Sequence, residues 1–367
     1  MRQALPLEDV DFLDRRLLPI WEKVRERERL TFQEGLLLFE TGDLISLGKM
    51  ASYVKGGWAG ERVYFVVNRH INYTNVCALA CRFCDFGRKK GQPGAYEMTV
   101  EEILGCVDKD LKEVHIVGGH HPDWPFEKYV EMMRAIHQRF PHVQIKAFTA
   151  AEIAYFSRRW KLSLEEILIK LKEAGLSSMP GGGAEVFSDR VRRLLFPGKA
   201  SAEQWLHVHR LAHSLGIPSN ATLLYGHIET CQERVQHLLM LRELQDETGG
   251  FLAFIPLAYQ VGETRLVERQ ASALEDLKMI AASRLLLDNF PHVKAYWVMI
   301  GEATASIALS FGADDLDGTI GKERIAHAAG AQSPAGLARD RIIRLIKDAG
   351  KIPVERDALY HVVHVYS

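Results

Sequence analysis

No charge of one sign dominates this chain: 46 Lys and Arg stand against 47 Asp and Glu in 367 residues, a formal net charge of −1. That balance removes the electrostatic case for nucleic acid or an anionic membrane surface as a partner. No apolar run approaches the ~20 residues needed to span a bilayer. The start, Met1 to Pro6 followed by Glu8 and Asp9, is acidic where a secretory leader would be apolar. Cysteine is scarce, five in all; three crowd into one short segment, while Cys106 and Cys231 stand alone. A disulfide framework is not distributed that way, so a reducing cytoplasm is the expected location. Internal repeats and low-complexity segments are also missing. What remains is an ordinary globular composition, 47% apolar and 25% charged.

The length exceeds the ~250 to 300 residues at which a single core usually stops growing, a size that barrels with terminal extensions reach as one domain. Before residue 60, Phe12, Leu13, Leu17, Ile20, Trp21 and Val24 recur at helix spacing, and Thr31 with Glu34 forms a capping-box pair. From residue 62 onward, short β-branched runs alternate with amphipathic helices at βαβ intervals. Strands are expected over 63–71, 113–117, 144–149, 177–179, 217–224, 251–256 and 293–299, with an eighth in the tail over 359–366. Capping boxes at Thr99/Glu102, Ser163/Glu166, Ser201/Gln204 and Thr230/Glu233 mark helix starts, and Ser333-Pro334 marks a last helix running to about 349. Strands apolar on both faces belong to a parallel sheet covered by helices. The expected fold is therefore α/β, a full or partial TIM-type (β/α) barrel over 62–300, with a helical N-terminal extension over 1–61. A mixed C-terminal extension over 301–367 would complete or cap the barrel. A doubly wound open sheet would gather its polar signals at one switch point; here they follow successive strands, as around a barrel rim.

Cys77, Cys81 and Cys84 form a C-x3-C-x2-C spacing in the loop after the first strand. Three thiolates so close can grip three corners of one [4Fe–4S] cube, leaving one iron open for a ligand. The competing reading is a structural zinc site, which wants a fourth protein ligand such as His70 or His115 and lacks the usual paired C-x2-C knuckles.

The spacing, with Phe83 before the last cysteine, resembles the signature of the radical S-adenosylmethionine superfamily. Asn72-Tyr73-Thr74-Asn75 before it, Gly118-Gly119-His120-His121-Pro122-Asp123, Pro180-Gly181-Gly182-Gly183-Ala184-Glu185 and Tyr225-Gly226-His227-Ile228-Glu229-Thr230 resemble its menaquinone and deazaflavin biosynthesis branch. His115 to Gly119 and Ile145 to Ala150 look most like the aminofutalosine synthase family. The resemblance implies that the amino and carboxylate groups of S-adenosylmethionine chelate the open iron, Phe83 lies by the adenine, and Gly118-Gly119 meets the amino group. It also implies a reaction. The 5′-deoxyadenosyl radical would add to the vinyl carbon of 3-[(1-carboxyvinyl)oxy]benzoate, and rearrangement with loss of carboxylate would give aminofutalosine, S-adenosylmethionine being consumed as a co-substrate. A low-potential electron donor such as flavodoxin or ferredoxin is the implied partner. The rivals are a dehypoxanthine futalosine cyclase or a deazaflavin-forming synthase, both releasing 5′-deoxyadenosine, and a non-catalytic zinc or Fe–S binding module.

The remaining candidates follow from position. Thr149, Glu152, Tyr225 and His227 lie at strand ends, where barrel ligands sit. Glu185 is a ribose or substrate contact, or a helix-start carboxylate. Arg88, His120, Lys146 and His227 are candidates for binding the substrate's carboxylates. His120 and His121 read equally well as loop histidines packed on Trp124, and the Arg88-Lys89-Lys90 run as a solvated face or a docking point for an acidic electron donor.

Overall fold

The computed structural model describes residues 12–367; residues 1–11, with the acidic start, lie outside the described residues. Strand β1 (Arg62–Val66) continues into β2 (Asn68–Ile71), and β3 (Glu113–Ile116), β4 (Gln144–Ala147) and β5 (Leu176–Ser178) follow in parallel order. Strands β6 (Ser219–Tyr225), β7 (Phe251–Ala258) and β8 (His292–Val293) form the next parallel group. Bridges Met179↔Ser219 and Lys294↔Asp315 join the groups, and β9 (Asp315–Gly318) pairs back onto β1. Counting β1 with β2 as one strand, β3 to β9 complete a ring of eight, so the barrel is closed. Each expected capping box is present, and two more, Thr149/Glu152 and Ser272/Glu275, open further helices.

Three local expectations are corrected. Strand character ends at Val293, because the apolar run beyond it forms the helix Trp297–Ala308, with Trp297 and Val298 buried; a short apolar run cannot by itself separate a buried strand from a buried helix turn. The tail supplies no barrel strand. Instead β11 (Val362–Val365) pairs antiparallel with β10 (Ile352–Arg356), which lies beside β1 outside the ring. The eighth barrel strand is the acidic Asp315–Gly318, a segment with little strand propensity that is held by its tertiary setting. The last helix starts at Arg339, since Ser333 is tied to two earlier helices, its hydroxyl donating to Val298 O at 2.7 Å and its carbonyl lying 2.8 Å from His327 Nε2.

The C-terminal hairpin plugs the N-terminal end of the barrel. Arg356 from β10 reaches Asp315 (2.7 Å), Tyr360 stacks on His292 with centroids 3.9 Å apart, and Ala358 N donates to Gln144 Oε1 (2.6 Å). Above the plug the inward positions are polar. Lys146 pairs with Glu113 (2.7 Å), Lys294 with Asp317 (3.0 Å), and Asn68 donates to Glu113 (3.0 Å). The floor is thus a set of mutually matched charges, while the cysteine loop and the other polar loops stand at the opposite mouth. The N-terminal helices Leu18–Glu26, Phe32–Glu40 and Leu44–Ala59 pack outside the ring; Lys278 of the helix Ala273–Leu286 donates to Phe39 O (3.0 Å) and Thr41 O (2.7 Å).

Candidate active site: a three-cysteine loop at the barrel mouth

The loop after β2 has no regular structure of its own, so its shape depends on hydrogen bonds to neighbours. Cys77 N donates to Arg88 O (2.9 Å), Arg88 N to Asn75 O (2.8 Å), Ala78 N to His120 O (2.8 Å) and Arg82 N to Leu195 O (2.7 Å). The Arg88 guanidinium donates to Asp85 O (2.7 Å) and Gly87 O (3.0 Å), and Lys89 Nζ gathers the carbonyls of Cys77, Ala78 and Leu79 at 3.2, 3.0 and 2.9 Å. Arg88 thus staples the cysteine loop through one guanidinium nitrogen, and the exposed Lys89 closes over the same loop while Lys90 stands outward, paired with Asp123.

Backbone N–H groups point at two of the sulfurs, His120 N at Cys77 Sγ (3.4 Å) and Gly87 N at Cys84 Sγ (3.4 Å). A Cβ at Gly87 would lie 3.6 Å from Cys77 Cβ and 3.8 Å from Cys84 Sγ, so that glycine keeps the space between two cysteines open. Burial pushes the Cys81 thiol up to about 11 despite the nearby Lys199, and raises Cys84 as well. Thiols this reluctant to ionise become good ligands when a metal takes the proton's place. Among the described residues no three His, Cys, Asp or Glu side chains gather around a position for a single metal ion. A donor set of three thiols with N–H groups aimed at sulfur fits the corners of an iron–sulfur cube.

Around this loop the other candidates divide. Gly118 and Gly119 are required by close packing. A Cβ at Gly119 would stand 2.3 Å from Val76 O, and one at Gly118 2.8 Å from the Tyr73 ring, so both glycines let the β3 loop lie directly under the cysteine loop. Thr149 and Glu152 form a capping box, with Thr149 N and Oγ1 donating to Glu152 Oε2 at 2.7 and 2.8 Å. The other carboxylate oxygen accepts from Tyr73 OH (2.8 Å) and Gly118 N (3.2 Å), so Glu152 ties together three loops of the mouth. The same S/T-x-x-E pattern that marked other helices was there to be read. His120 lies against Cys77, its Nδ1 3.9 Å from the sulfur, and burial lowers its pKa to about 3. His121 packs on Trp124, centroids 5.0 Å apart.

Glu185 remains on the cysteine side, forming an ion pair with Lys199, whose ammonium also stands 5.4 Å from the Phe83 ring centroid. Burial pulls Lys199 down, but Glu185 and the Cys81 and Cys84 sulfurs outweigh it and hold the lysine charged. Lys199 carries no motif and was not anticipated. Tyr225 is corrected: its hydroxyl points away from the mouth to Asp276 (2.6 Å), a carboxyl that burial raises to about 6. His227 is buried, its Nε2 meeting Leu224 O (3.1 Å) and its Nδ1 lying 3.1 Å from a Glu229 oxygen without a hydrogen bond. Lys146 faces the lumen, with its charge already matched by Glu113. Beside it lie His70 and His115, which were weighed only as zinc ligands; polar residues at inward positions of otherwise apolar strands are the signal that marks them.

A closed parallel barrel with a three-thiol loop at its mouth defines a class of enzyme that holds a cluster at one end of the barrel and a substrate in the lumen below. The family model for the Radical SAM superfamily matches residues 71–241, and that for the CofH/MqnC C-terminal region matches 248–367. The chain is 48% identical to aminodeoxyfutalosine synthase of Thermus thermophilus, covering 96% of this chain and 97% of that one. It is 40% identical to the 5-amino-6-(D-ribitylamino)uracil–L-tyrosine 4-hydroxyphenyl transferase of Methanopyrus kandleri (84% and 86% covered) and 38% identical to cyclic dehypoxanthine futalosine synthase of Streptomyces coelicolor (95% and 90%). Methylornithine synthase shares the fold, with a TM-score of 0.71 at 18% identity over 91% of this chain and 97% of that one. The chain therefore belongs to the radical S-adenosylmethionine superfamily, in the branch of the aminodeoxyfutalosine synthases and their relatives. Among the described residues no helix is long and apolar enough to cross a membrane.

Proposed function

We propose that this enzyme is an aminodeoxyfutalosine synthase that joins the 5′-deoxyadenosyl group of S-adenosylmethionine to the vinyl carbon of 3-[(1-carboxyvinyl)oxy]benzoate, with loss of the carboxylate as carbon dioxide or bicarbonate and return of the one electron that was supplied. One observation carries this reading. Identity over nearly the whole chain is 48% to a synthase, against 40% and 38% to relatives that run other reactions on the same scaffold. Cys77, Cys81 and Cys84 would hold a [4Fe–4S] cluster. With S-adenosylmethionine bound and an electron supplied, that cluster provides a 5′-deoxyadenosyl radical.

The chain's own residues do the rest. His120 N and Gly87 N stabilise negative charge on the sulfurs, Lys89 and Arg88 hold the loop in its cluster-ready shape, and the glycines at 118 and 119 admit backbone to close range. Lys199, held cationic beside two of the cysteines, offsets the negative charge of thiolates and of an incoming carboxylate, and Phe83 offers an apolar wall. Closed walls and a plugged floor confine access to the lumen to the mouth, which would limit side reactions of a reactive carbon radical. A small low-potential protein such as flavodoxin or ferredoxin would supply the electron. The test is an anaerobic assay with dithionite, labelled S-adenosylmethionine and the enolpyruvyl ether. Adenosyl label should appear in aminodeoxyfutalosine, with 5′-deoxyadenosine a minor product. Turnover of dehypoxanthine futalosine with stoichiometric 5′-deoxyadenosine would instead make the protein a cyclase.

A further inference from the structure

Just inside the mouth, near the C-terminal ends of β2, β3 and β4 and above the charge-matched floor, lie polar atoms that nothing in the chain satisfies. Strand register puts His70 beside His115, and His115 beside Lys146. The two imidazoles are 4.4 Å apart, centroid to centroid, and inclined by 46°. His70 Nε2, His115 Nδ1 and the Ser178 hydroxyl are all buried without a hydrogen-bond partner, although His70 is only 7% exposed and Ser178 1%. An orphaned buried polar atom is unfavourable, and three in one layer mark a place that a ligand's polar atoms would fill. His115 keeps accessible surface there, which a filled core would have removed.

The floor cations are not available to an incoming anion without loss elsewhere: Lys146 is matched by Glu113, Lys294 by Asp317 and Arg356 by Asp315. A carboxylate entering this lumen would be an extra, unbalanced charge, and within this layer the polar atoms left without a partner are those of the imidazoles and the hydroxyl, while deeper in the floor Arg356 keeps one nitrogen unpaired. We propose that His70 and His115, with the Ser178 hydroxyl, bind the benzoate carboxylate of the substrate, and that the imidazole pair takes up one proton from solvent as it does so. This rests on the aminodeoxyfutalosine synthase reading. The vinyl end must meet the adenosyl group at the mouth. His70, His115 and Lys146 each stand one residue before the end of their strands, one layer inside the mouth, where the far side of a substituted benzene ring would reach.

Burial disfavours the charged form of both rings. Burial lowers His70 against the pull of Asp317, Glu323 and Glu113, with Lys146 adding to the lowering. Burial also lowers His115, with His70, Lys146 and Lys294 adding to it and Asp317 opposing. A bound carboxylate is an opposite charge at contact distance and favours the imidazolium. The proton comes from bulk solvent, and no bond in the substrate breaks.

The experiment uses cluster-loaded protein and 3-(1-carboxyethoxy)benzoate, the saturated analogue that cannot accept a radical. Calorimetric titration in two buffers of different ionisation enthalpy should show uptake of about one proton per analogue bound near pH 7.5, with affinity falling as pH rises, up to about tenfold per unit. His115→Gln and His70→Gln should each weaken the analogue at least tenfold and abolish proton uptake. The S-adenosylmethionine-induced change in the reduced cluster's EPR spectrum should stay as in wild type, which also reports that the variants fold. Tight binding by wild type without proton uptake would overturn the proposal, as would variants that fold and bind the analogue normally. Failure of the functional reading looks different, because it is decided by wild-type products with the reactive ether.

Discussion

Replacing Glu152 separates a structural carboxylate from a cofactor contact. In Glu152→Ala the Tyr73 hydroxyl and Gly118 N–H each lose a buried acceptor, at about 1 to 3 kcal/mol apiece, and the helix Ala150–Trp160 loses half of its capping box, about 1 kcal/mol more. The total is roughly 3 to 7 kcal/mol, a large share of the ~5 to 15 kcal/mol that holds a protein folded. Glu152→Gln should cost far less. Burial already raises the Glu152 pKa toward the neutral form that glutamine imitates, and the retained amide oxygen can still serve Tyr73 and Gly118. Only the acceptor for Thr149 is lost, about 1 kcal/mol. At roughly 2 °C per kcal/mol for a chain this large, tryptophan fluorescence under anaerobic conditions should show melting lowered by about 6 to 14 °C for alanine and about 2 °C for glutamine. Folded Glu152→Gln should keep wild-type affinity for S-adenosylmethionine, read from the EPR spectrum of the reduced cluster. If Glu152→Ala melts within a degree of wild type but loses S-adenosylmethionine binding, the carboxylate is a ligand contact and the capping argument is wrong.

Cys77→Ala, Cys81→Ala and Cys84→Ala should each abolish turnover and leave iron well below the four irons per chain expected of reconstituted wild type; Cys106→Ala and Cys231→Ala should do neither. A folded Cys231→Ala protein that keeps its iron and is inactive would contradict this. Asp276 has a folded pKa of about 6, above the ~3.9 of an unfolded chain, so its favourable contribution is complete below about pH 4 and is lost as pH rises through 6. Asp276→Asn should therefore gain stability relative to wild type between pH 4 and 7, measured by urea midpoints, and a pH-independent difference would contradict that.

The sequence by itself determined the cysteine loop and seven of the eight barrel strands. Three cysteines in one short segment leave few chemistries open, and strands apolar on both faces, separated by capped helices, have few ways to pack other than a barrel. Local signals of this kind are readable because their cause is local: a capping box involves residues three apart, and a cysteine triplet grips one cluster. Only the tertiary structure decided which side chains face the lumen and which are occupied elsewhere. Tyr225 sits at a strand end yet points to Asp276, and Arg88 follows the cysteines yet spends its guanidinium on their own loop. The acidic Asp315–Gly318 segment reads as irregular because its own propensities disfavour a strand, and it becomes the closing strand only because Lys294 and Arg356 meet its carboxylates inside the barrel. Charge matching between residues so far apart in sequence leaves no local pattern, and that is why the floor of the barrel, and the imidazole pair above it, emerged only once the chain was folded.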